Sequence, residues 1–452
     1  TLFRAIYGGS RHRQMSLPAR QGHLFDPDRF PFLEGRAHAA EPLPEQLPRV
    51  SDGTLHRILH LLLYLDGERL PYRTLDVEQI GSVYETIMGF AVERAPERMI
   101  ALKPKKAHGA PLHIGLDTLL AAKTADREKF LKENADTALP DAAAKALKAA
   151  STIDDLLAAL DKRIDRRASP HPVATGSLIL QPTDERRRSG SHYTPRSFTE
   201  PIVRKTLEPI FQRLGSFPKP ADILALKVAD IAVGSAAFLV EACRQLAQAL
   251  VASWHYHRCL PNIPPDEDEI LHAMRLVAQR CLYGVDRNPM AVDLAKLSLW
   301  LATLAKDHPF TFLDHSIRCG DSLVGLTRRQ IECFTWETDF ASPLLWEQEV
   351  RRRAASALEQ RKNLLALGDD HTSPDQKRQK LALADESLNT VRFIGDAAIA
   401  AFFSADKDKA REAKRQELAA RIADYLSKGD QKQRPTEEVK ALRSGPFPVN
   451  PF

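Results

Sequence analysis

The spacing of apolar residues divides the chain into three stretches. Helical spacing runs through residues 55–65 and 115–165, the latter broken at Pro140. After a polar break at 175–195, short apolar runs alternate with helical segments. From about residue 345 the pattern is helical again, with both charge signs interleaved. We therefore predict a mainly helical N-terminal domain (1–180), an α/β core (181–330) and a charged helical segment (331–452).

Three apolar runs in the core each end in an acidic residue. They are LALKVADIAVG (224–234), CLYGVD (281–286) and SIRCGD (316–321). Strands that alternate with helices form parallel βαβ units, whose carboxyl ends meet at one edge of the sheet. We expect Asp230, Asp286 and Asp321 at that edge. Each could instead only cap its own turn, but three such residues at three successive strand ends favour a ligand site.

The first of these strands is followed by a turn of small residues. Gly234, Ser235 and Ala236 let a ligand approach the backbone closely, and the next helix would offer its N-terminal amide groups. A tight βα turn without a ligand explains the same residues about equally well.

The second strand end and the segment before the first strand carry further candidates. Asn288 and Pro289 suit the N-cap and first position of a helix, and Asp286 is placed to bind ribose hydroxyls. Upstream, the turn Tyr193-Thr194-Pro195 could close over the polar end of a ligand, or only begin a helix.

The amino-acid composition excludes few classes of function. A net charge of +5 permits a polyanionic partner without requiring one. The five cysteines, an odd number without a Cys-x-x-Cys pair, suit a reducing, cytoplasmic setting, and no apolar run is long enough to predict membrane insertion. The spacing His255-x-His257-x-Cys259 matches no common zinc site, and we predict no metal.

The order of these motifs resembles the N6-adenine DNA methyltransferases of the gamma motif order. It is similar to the large single-chain enzymes of type II restriction–modification and of phage-defence systems such as BREX and DISARM. The resemblance covers about 189–325. It rests on four motifs: Tyr193-Thr194-Pro195, Asp230-x-x-x-Gly234-Ser235, Gly284-Val285-Asp286-x-Asn288-Pro289 and Gly320-Asp321-Ser322-Leu323.

The resemblance implies a partial Rossmann-like class I methyltransferase core that binds S-adenosylmethionine. Tyr193, Thr194 and Pro195 would contact the methionine end of the cofactor. Its amino and carboxylate groups would lie against Asp230, Gly234 and the backbone of Ser235 and Ala236. Asp286 would hold the ribose, and Asp321 the adenine amine. Ala236 replaces the last glycine of the family pattern, which we expect to add a methyl group where the backbone approaches the ligand.

The family pattern also includes an Asn/Asp-Pro-Pro-aromatic loop that grips a flipped adenine, and this chain contains no such tetrapeptide. In the family that loop follows a charged insertion like 331–445. We therefore expect the chain to be a piece of a longer protein, with no catalytic residue of its own and no methylation of DNA by itself. A non-catalytic cofactor-binding or DNA-docking scaffold is a second hypothesis, and methylation of RNA or protein a third.

The resemblance implies duplex DNA as a partner, together with other restriction or phage-defence subunits. The basic residues Arg186, Arg187, Arg188 and Arg196 adjoin the turn expected to close over the cofactor, and arginine can grip phosphate in a bidentate way. We predict that they contact DNA phosphates. A solvated linker is the alternative explanation.

Overall fold

The structure is a computed structural model. It describes residues 2–12, 15–39, 41–42, 51–65, 67–70, 89–104, 111–135, 137, 139–182, 194–263, 267–304, 311–337, 346–367 and 374–427. The chain forms two compact units, one of residues 82–193 and one of residues 1–81 together with 194–452. The predicted contacts of Tyr193, Arg186, Arg187 and Arg188 lie outside the described residues.

The helices are, in chain order, α1 (Leu2–Gly8), α2 (Asp52–Leu63), α3 (Leu116–Ala121), α4 (Arg127–Ala135), α5 (Asp141–Ala149), α6 (Ile153–Leu160), α7 (Arg196–Leu214), α8 (Pro220–Ala225), α9 (Ala237–His257), α10 (Glu269–Arg280), α11 (Pro289–Ala302), α12 (Arg328–Cys333), α13 (Glu347–Ala366), α14 (Pro374–Phe403) and α15 (Asp408–Ser427).

The strands are β1 (Ser10–His12), β2 (Met15–Leu17), β3 (Tyr64–Leu65), β4 (Glu68–Arg69), β5 (Phe90–Arg94), β6 (Met99–Leu102), β7 (Leu112–Gly115), β8 (Leu178–Pro182), β9 (Val228–Asp230), β10 (Leu282–Asp286) and β11 (Ile317–Cys319). No helix in these ranges has the length and apolar character needed to cross a membrane.

The unit of residues 82–193 contains strands as well as helices. Strand β5 pairs antiparallel with β8, and β6 pairs antiparallel with β7. Every residue of β6 is buried, and this strand packs with the apolar faces of α3 to α6. Pro140 lies at the N-cap of α5, as the predicted break in the helical pattern requires.

One contact joins the beginning of the chain to α14 within the unit of residues 1–81 and 194–452. The Arg378 Nη1 group donates to the Tyr7 hydroxyl at 3.0 Å and lies 3.2 Å from Asp26 Oδ2. Such contacts join residues more than 350 positions apart, and no local pattern of hydrophobicity encodes them.

The predicted core strands form a parallel three-stranded sheet in the order β11-β10-β9. In this register Asp230 lies opposite Gly284, and Asp286 lies opposite Cys319. Strand β10 thus extends two residues beyond β9. Because side chains alternate along a strand, Asp230 and Asp286 project from the same face, about 7 Å apart along the strand direction.

Helix α9 packs on this sheet and supplies more of its buried core residues than any other helix or strand among the described residues. Leu239, Cys243, Leu246, Ala247 and Leu250 are almost completely buried, and they pack with residues of α10, α11 and the strands. One face of the sheet is therefore covered by α9.

Gly284 marks the closest approach between β10 and the α9 region. A Cβ atom at this position would lie 2.9 Å from Val233 Cγ2, 3.1 Å from Ile317 Cδ1 and 3.2 Å from Leu239 Cδ1. Any residue with a side chain at position 284 would therefore push the β9–α9 turn away from the sheet.

The charged C-terminal segment is helical as predicted, within the described residues. Helices α13, α14 and α15 share an apolar core with Trp346, Val350, Ile394, Leu418 and Ile422. Their outer faces carry ion pairs at helical spacing, for example between Arg353 and Glu349 at 2.6 Å.

We expect Gly284→Ala to destabilise the protein by about 1–3 kcal/mol, because an added methyl group overpacks a dense core. Urea unfolding followed by circular dichroism measures this. Gly325→Ala is the matched control, since a Cβ there meets no atom within 4 Å. Equal stabilities of the two variants would show that the sheet yields at Gly284 without cost.

Candidate functional site

The three predicted acidic residues lie at the carboxyl ends of the three parallel strands. Each carboxylate accepts a hydrogen bond from a backbone amide two residues further on. The bonds are Ala232 N to Asp230 at 3.0 Å, Asn288 N to Asp286 at 2.8 Å and Leu323 N to Asp321 at 2.9 Å. Each acid therefore stabilises the turn after its own strand, and the edge of the sheet carries three carboxylates.

Asp286 differs from the other two because it also binds the neighbouring turn. Its Oδ2 atom accepts a hydrogen bond from Gly234 N at 3.0 Å, while its Oδ1 atom accepts the one from Asn288 N. Asn288 in turn caps α11 by accepting from Met290 N, as the sequence predicts. One carboxylate thus joins the β9–α9 turn to the β10–α11 turn.

The β9–α9 turn has a left-handed backbone at two positions. Gly234 has φ +49° and Ala236 has φ +66°. A Cβ built at Gly234 meets no atom within 4 Å, so the space beside it is open. Val233 N donates to Val285 O at 2.9 Å, which fixes the turn on β10. The open side of the turn can therefore receive a small polar group.

The methyl group of Ala236, which stands in place of the last glycine of the family pattern, has a buried environment. Ala236 is completely buried and belongs to the core cluster under α9. Its methyl group packs against the core instead of facing the open side of the turn. The substitution of alanine for glycine therefore adds apolar contact within the protein and leaves the space beside Gly234 open.

The folded protein disfavours the ionised form of the Asp230 carboxyl group. Burial raises the pKa of its carboxyl group above the ordinary value, and the nearby charge of Asp286 raises the pKa further, against the opposing hydrogen bond from Ala232 N. The site thus presents a partly desolvated carboxylate that a positively charged group, such as an amino group, would stabilise.

The turn before α7 is tied to α9 by an ion pair that the sequence did not indicate. Thr194 and Pro195 precede α7, and Pro195 is its N-cap. The next residue, Arg196, places Nε 3.3 Å from Glu241 Oε2, with half of its own side chain exposed and Glu241 buried. The run FLVEAC, with one acidic residue in an apolar helix face, was the only local signal for Glu241.

Gln245, also in α9, forms a second link between Glu241 and α7. Gln245 Nε2 donates to Glu241 Oε1 at 2.8 Å and to Glu200 O, within α7, at 3.1 Å. The start of α7 is therefore held on the helix whose N-terminus faces the candidate site.

The left-handed conformation of Ala236 gives opposing contributions to stability. An alanine in this region costs about 1–2 kcal/mol, whereas burying its methyl group contributes about 0.8 kcal/mol. We expect Ala236→Gly to change the free energy of unfolding by less than about 1 kcal/mol, measured by urea denaturation. A loss above about 2 kcal/mol would show that the methyl group fills a cavity that cannot relax.

The raised pKa of Asp230 has a definite consequence for stability. Its ionised form is disfavoured in the folded state, so its contribution to stability is greatest at low pH and is lost as the pH rises through the folded pKa. We expect Asp230→Asn to unfold at a higher temperature than the wild type at pH 7.5. This difference should close as the pH falls towards about 4.

Differential scanning calorimetry across pH 4–8 measures the effect of Asp230→Asn. The control is Asp268→Asn, at the N-cap of α10, where asparagine caps about as well as aspartate. A lower unfolding temperature of Asp230→Asn at pH 7.5 would mean that the Asp230 charge is stabilised within the fold.

Comparison with known proteins gives related enzymes over part of the chain. Residues 280–350 match the family model of the Eco57I restriction-modification methylase. A putative type II restriction enzyme and methyltransferase of Methanocaldococcus jannaschii is 26% identical over 178 residues, covering 30% of this chain and 14% of that protein. A type II restriction enzyme and methyltransferase of Escherichia coli is 26% identical over 162 residues, covering 33% of this chain and 16% of that enzyme.

The match therefore spans about one-sixth or less of the length of these relatives. No solved structure matches the chain. The family model begins at Arg280, just before β10, and so covers Asp286, β11 and Asp321. The predicted resemblance is confirmed as a similarity: residues 280–350 match the model of an Eco57I restriction-modification methylase, and about a third of the chain is similar, at low identity, to type II restriction enzymes and methyltransferases.

Proposed function

We propose that this chain binds S-adenosylmethionine at the carboxyl edge of the β11-β10-β9 sheet, as part of an adenine-N6 DNA methyltransferase. The observation that carries the proposal is the Asp286 carboxylate, which joins the turn at Gly234 to the turn at Asn288. The three strands would be one half of a doubly wound, Rossmann-like sheet.

The residues at this edge fit the cofactor by their chemistry. The open space beside Gly234 and the N-terminal amides of α9 suit a carboxylate group, and the partly desolvated Asp230 suits an amino group. Each oxygen of Asp286 accepts one backbone hydrogen bond in the structure, so each retains capacity for a ribose hydroxyl. Asp321 would accept from the adenine amine, and Thr194 and Pro195, with Tyr193, would cover the methionine end.

S-adenosylmethionine supplies an activated methyl group when bound. The described residues would contribute by binding and orientation, which lower the barrier by holding the reacting groups in line. The Arg196–Glu241 ion pair would keep the turn before α7 over the site. Arg196 keeps half of its side chain exposed, and with Arg186, Arg187 and Arg188 it would contact phosphates of duplex DNA. Such an enzyme would act in the cytoplasm, in restriction–modification or phage defence.

We expect Asp286→Ala to weaken binding of S-adenosylmethionine by about 10- to 100-fold, because hydrogen bonds to a charged group contribute about 1.5–3 kcal/mol. Isothermal titration calorimetry with the 452-residue chain measures this. Asp268→Ala removes another carboxylate that accepts two backbone amides, Ile270 N and Leu271 N, at the N-cap of α10. It controls for the loss of a turn-capping carboxylate.

Equal affinities of wild type and Asp286→Ala would refute the assigned site. The acceptor is tested separately, by nucleoside analysis of DNA methylated by the gene product. We expect N6-methyladenine, whereas methyl groups found on cytosine, RNA or protein would contradict the proposed substrate.

A further inference from the structure

A group of three arginine residues lies on the opposite face of the same sheet. Arg318, in β11, is in register with Val285, whose side chain points away from the face that carries Gly284 and Asp286. Arg361 comes from α13 and Arg392 from α14. We call Arg318, Arg361 and Arg392, together with Asp385, the arginine cluster.

Asp385 is the acidic partner of two of these arginines. Arg318 Nη2 lies 3.1 Å from Asp385 Oδ2, and Arg392 Nη2 lies 2.8 Å from Asp385 Oδ1. Burial would raise the pKa of Asp385, but the hydrogen bond and charge of Arg392 and those of Arg318 hold it below the ordinary value. The carboxylate is therefore ionised and already shared between two guanidinium groups.

Arg361 is the third cation of the cluster, and one of its donor groups has no partner among the described residues. Its Nε–H group is buried and has no hydrogen-bond partner among the described residues. Burial, followed by the positive charge of Arg318, lowers the pKa of Arg361, with Asp385 opposing and Arg392 adding to the effect. An arginine remains charged under these conditions. The cluster thus holds three positive charges against one negative charge.

Buried charged groups in proteins are normally paired, because an unpaired charge loses its hydration without replacement. A buried donor without an acceptor carries a similar cost. Arg318, Arg392 and Asp385 remain partly exposed, with 31%, 23% and 26% of their side-chain surface accessible, so a small ligand can reach the cluster from solvent. An anion with several acceptor oxygens would supply both a negative charge and an acceptor for the Arg361 Nε–H group.

We propose that the arginine cluster is a phosphate-binding site, formed by β11, α13 and α14. A phosphate group offers oxygens to more than one guanidinium fork, and arginine is the side chain best matched to that geometry. The same chemistry is present in a phosphodiester of the DNA backbone and in a free phosphate ion. The site is separate from the proposed cofactor site and does not depend on it.

Two substitutions test the site with opposite expected signs. Arg361→Gln removes the third positive charge of the arginine cluster and should weaken binding of inorganic phosphate at least about tenfold. Asp385→Asn removes the negative charge that competes with phosphate for Arg318 and Arg392, so it should tighten phosphate binding. A general folding defect cannot produce the second result. Arg352→Gln is the control, because it removes one charge from an exposed arginine of α13 that pairs with Glu349.

The measurement is calorimetric titration of the 452-residue chain with inorganic phosphate at constant ionic strength, set with chloride. A parallel titration with a 20-bp duplex at several salt concentrations distinguishes the source of the phosphate. If the group is a DNA phosphodiester, Arg361→Gln should reduce the slope of log K against log salt by about 0.9, and Arg352→Gln should leave it unchanged.

Phosphate binding that Arg361→Gln abolishes and Asp385→Asn strengthens supports the site with free phosphate as ligand. A reduced salt slope without binding of free phosphate supports the site with DNA as its source. If Arg361→Gln matches the wild type in both titrations, the proposal is overturned, and the cluster is only an ion pair between β11 and the helices.

Discussion

The hydrogen bonds of the Asp286 carboxylate hold the candidate site in one arrangement. This single side chain accepts from Gly234 N and from Asn288 N, so it fixes two turns that are 54 residues apart along the chain. Gly284, two residues earlier in the strand, lets Val233 and Leu239 pack directly on β10. One carboxylate and one absent side chain, together with the Val233 N–Val285 O hydrogen bond, therefore hold the two turns close to each other. Capping a turn and binding a ligand are consequently not exclusive roles for Asp286, since the first sets the geometry that the second needs.

This arrangement brings two carboxylates to the same face of the sheet. The register puts Asp230 and Asp286 on one side, and burial together with the charge of Asp286 raises the pKa of Asp230. A fold selected for stability alone would place a neutral residue at position 230. Sites that bind charged ligands are often less stable than their surroundings for this reason. The amino group of the proposed cofactor would supply the missing positive charge, so ligand binding and relief of strain in the apo protein would coincide.

Local sequence signals predicted the parts of the fold that depend on neighbours in the chain. Apolar runs ending in Asp230, Asp286 and Asp321 became the strands of one parallel sheet, and Asn288 caps its helix. The position of the Ala236 methyl group was not predictable, because the direction of its Cβ depends on a left-handed backbone. The sequence did not predict three further features for a related reason: the ion pair of Glu241, the contact of Tyr7 with Arg378, and the strands β5 and β8. Their partners lie 45 to more than 350 residues away, and only the folded chain brings them together.

The alternation of side chains along β11 separates charges of opposite sign. Arg318 points to the face opposite Asp286, whereas the carboxylates gather at the edge and on the α9 face. The body of the sheet lies between the carboxylates of Asp230 and Asp286 and the arginine cluster. A three-residue strand can therefore border an acidic site for a cofactor and a basic site for a phosphate. The two regions adjoin because Arg318 and Asp321 are only three residues apart along the chain.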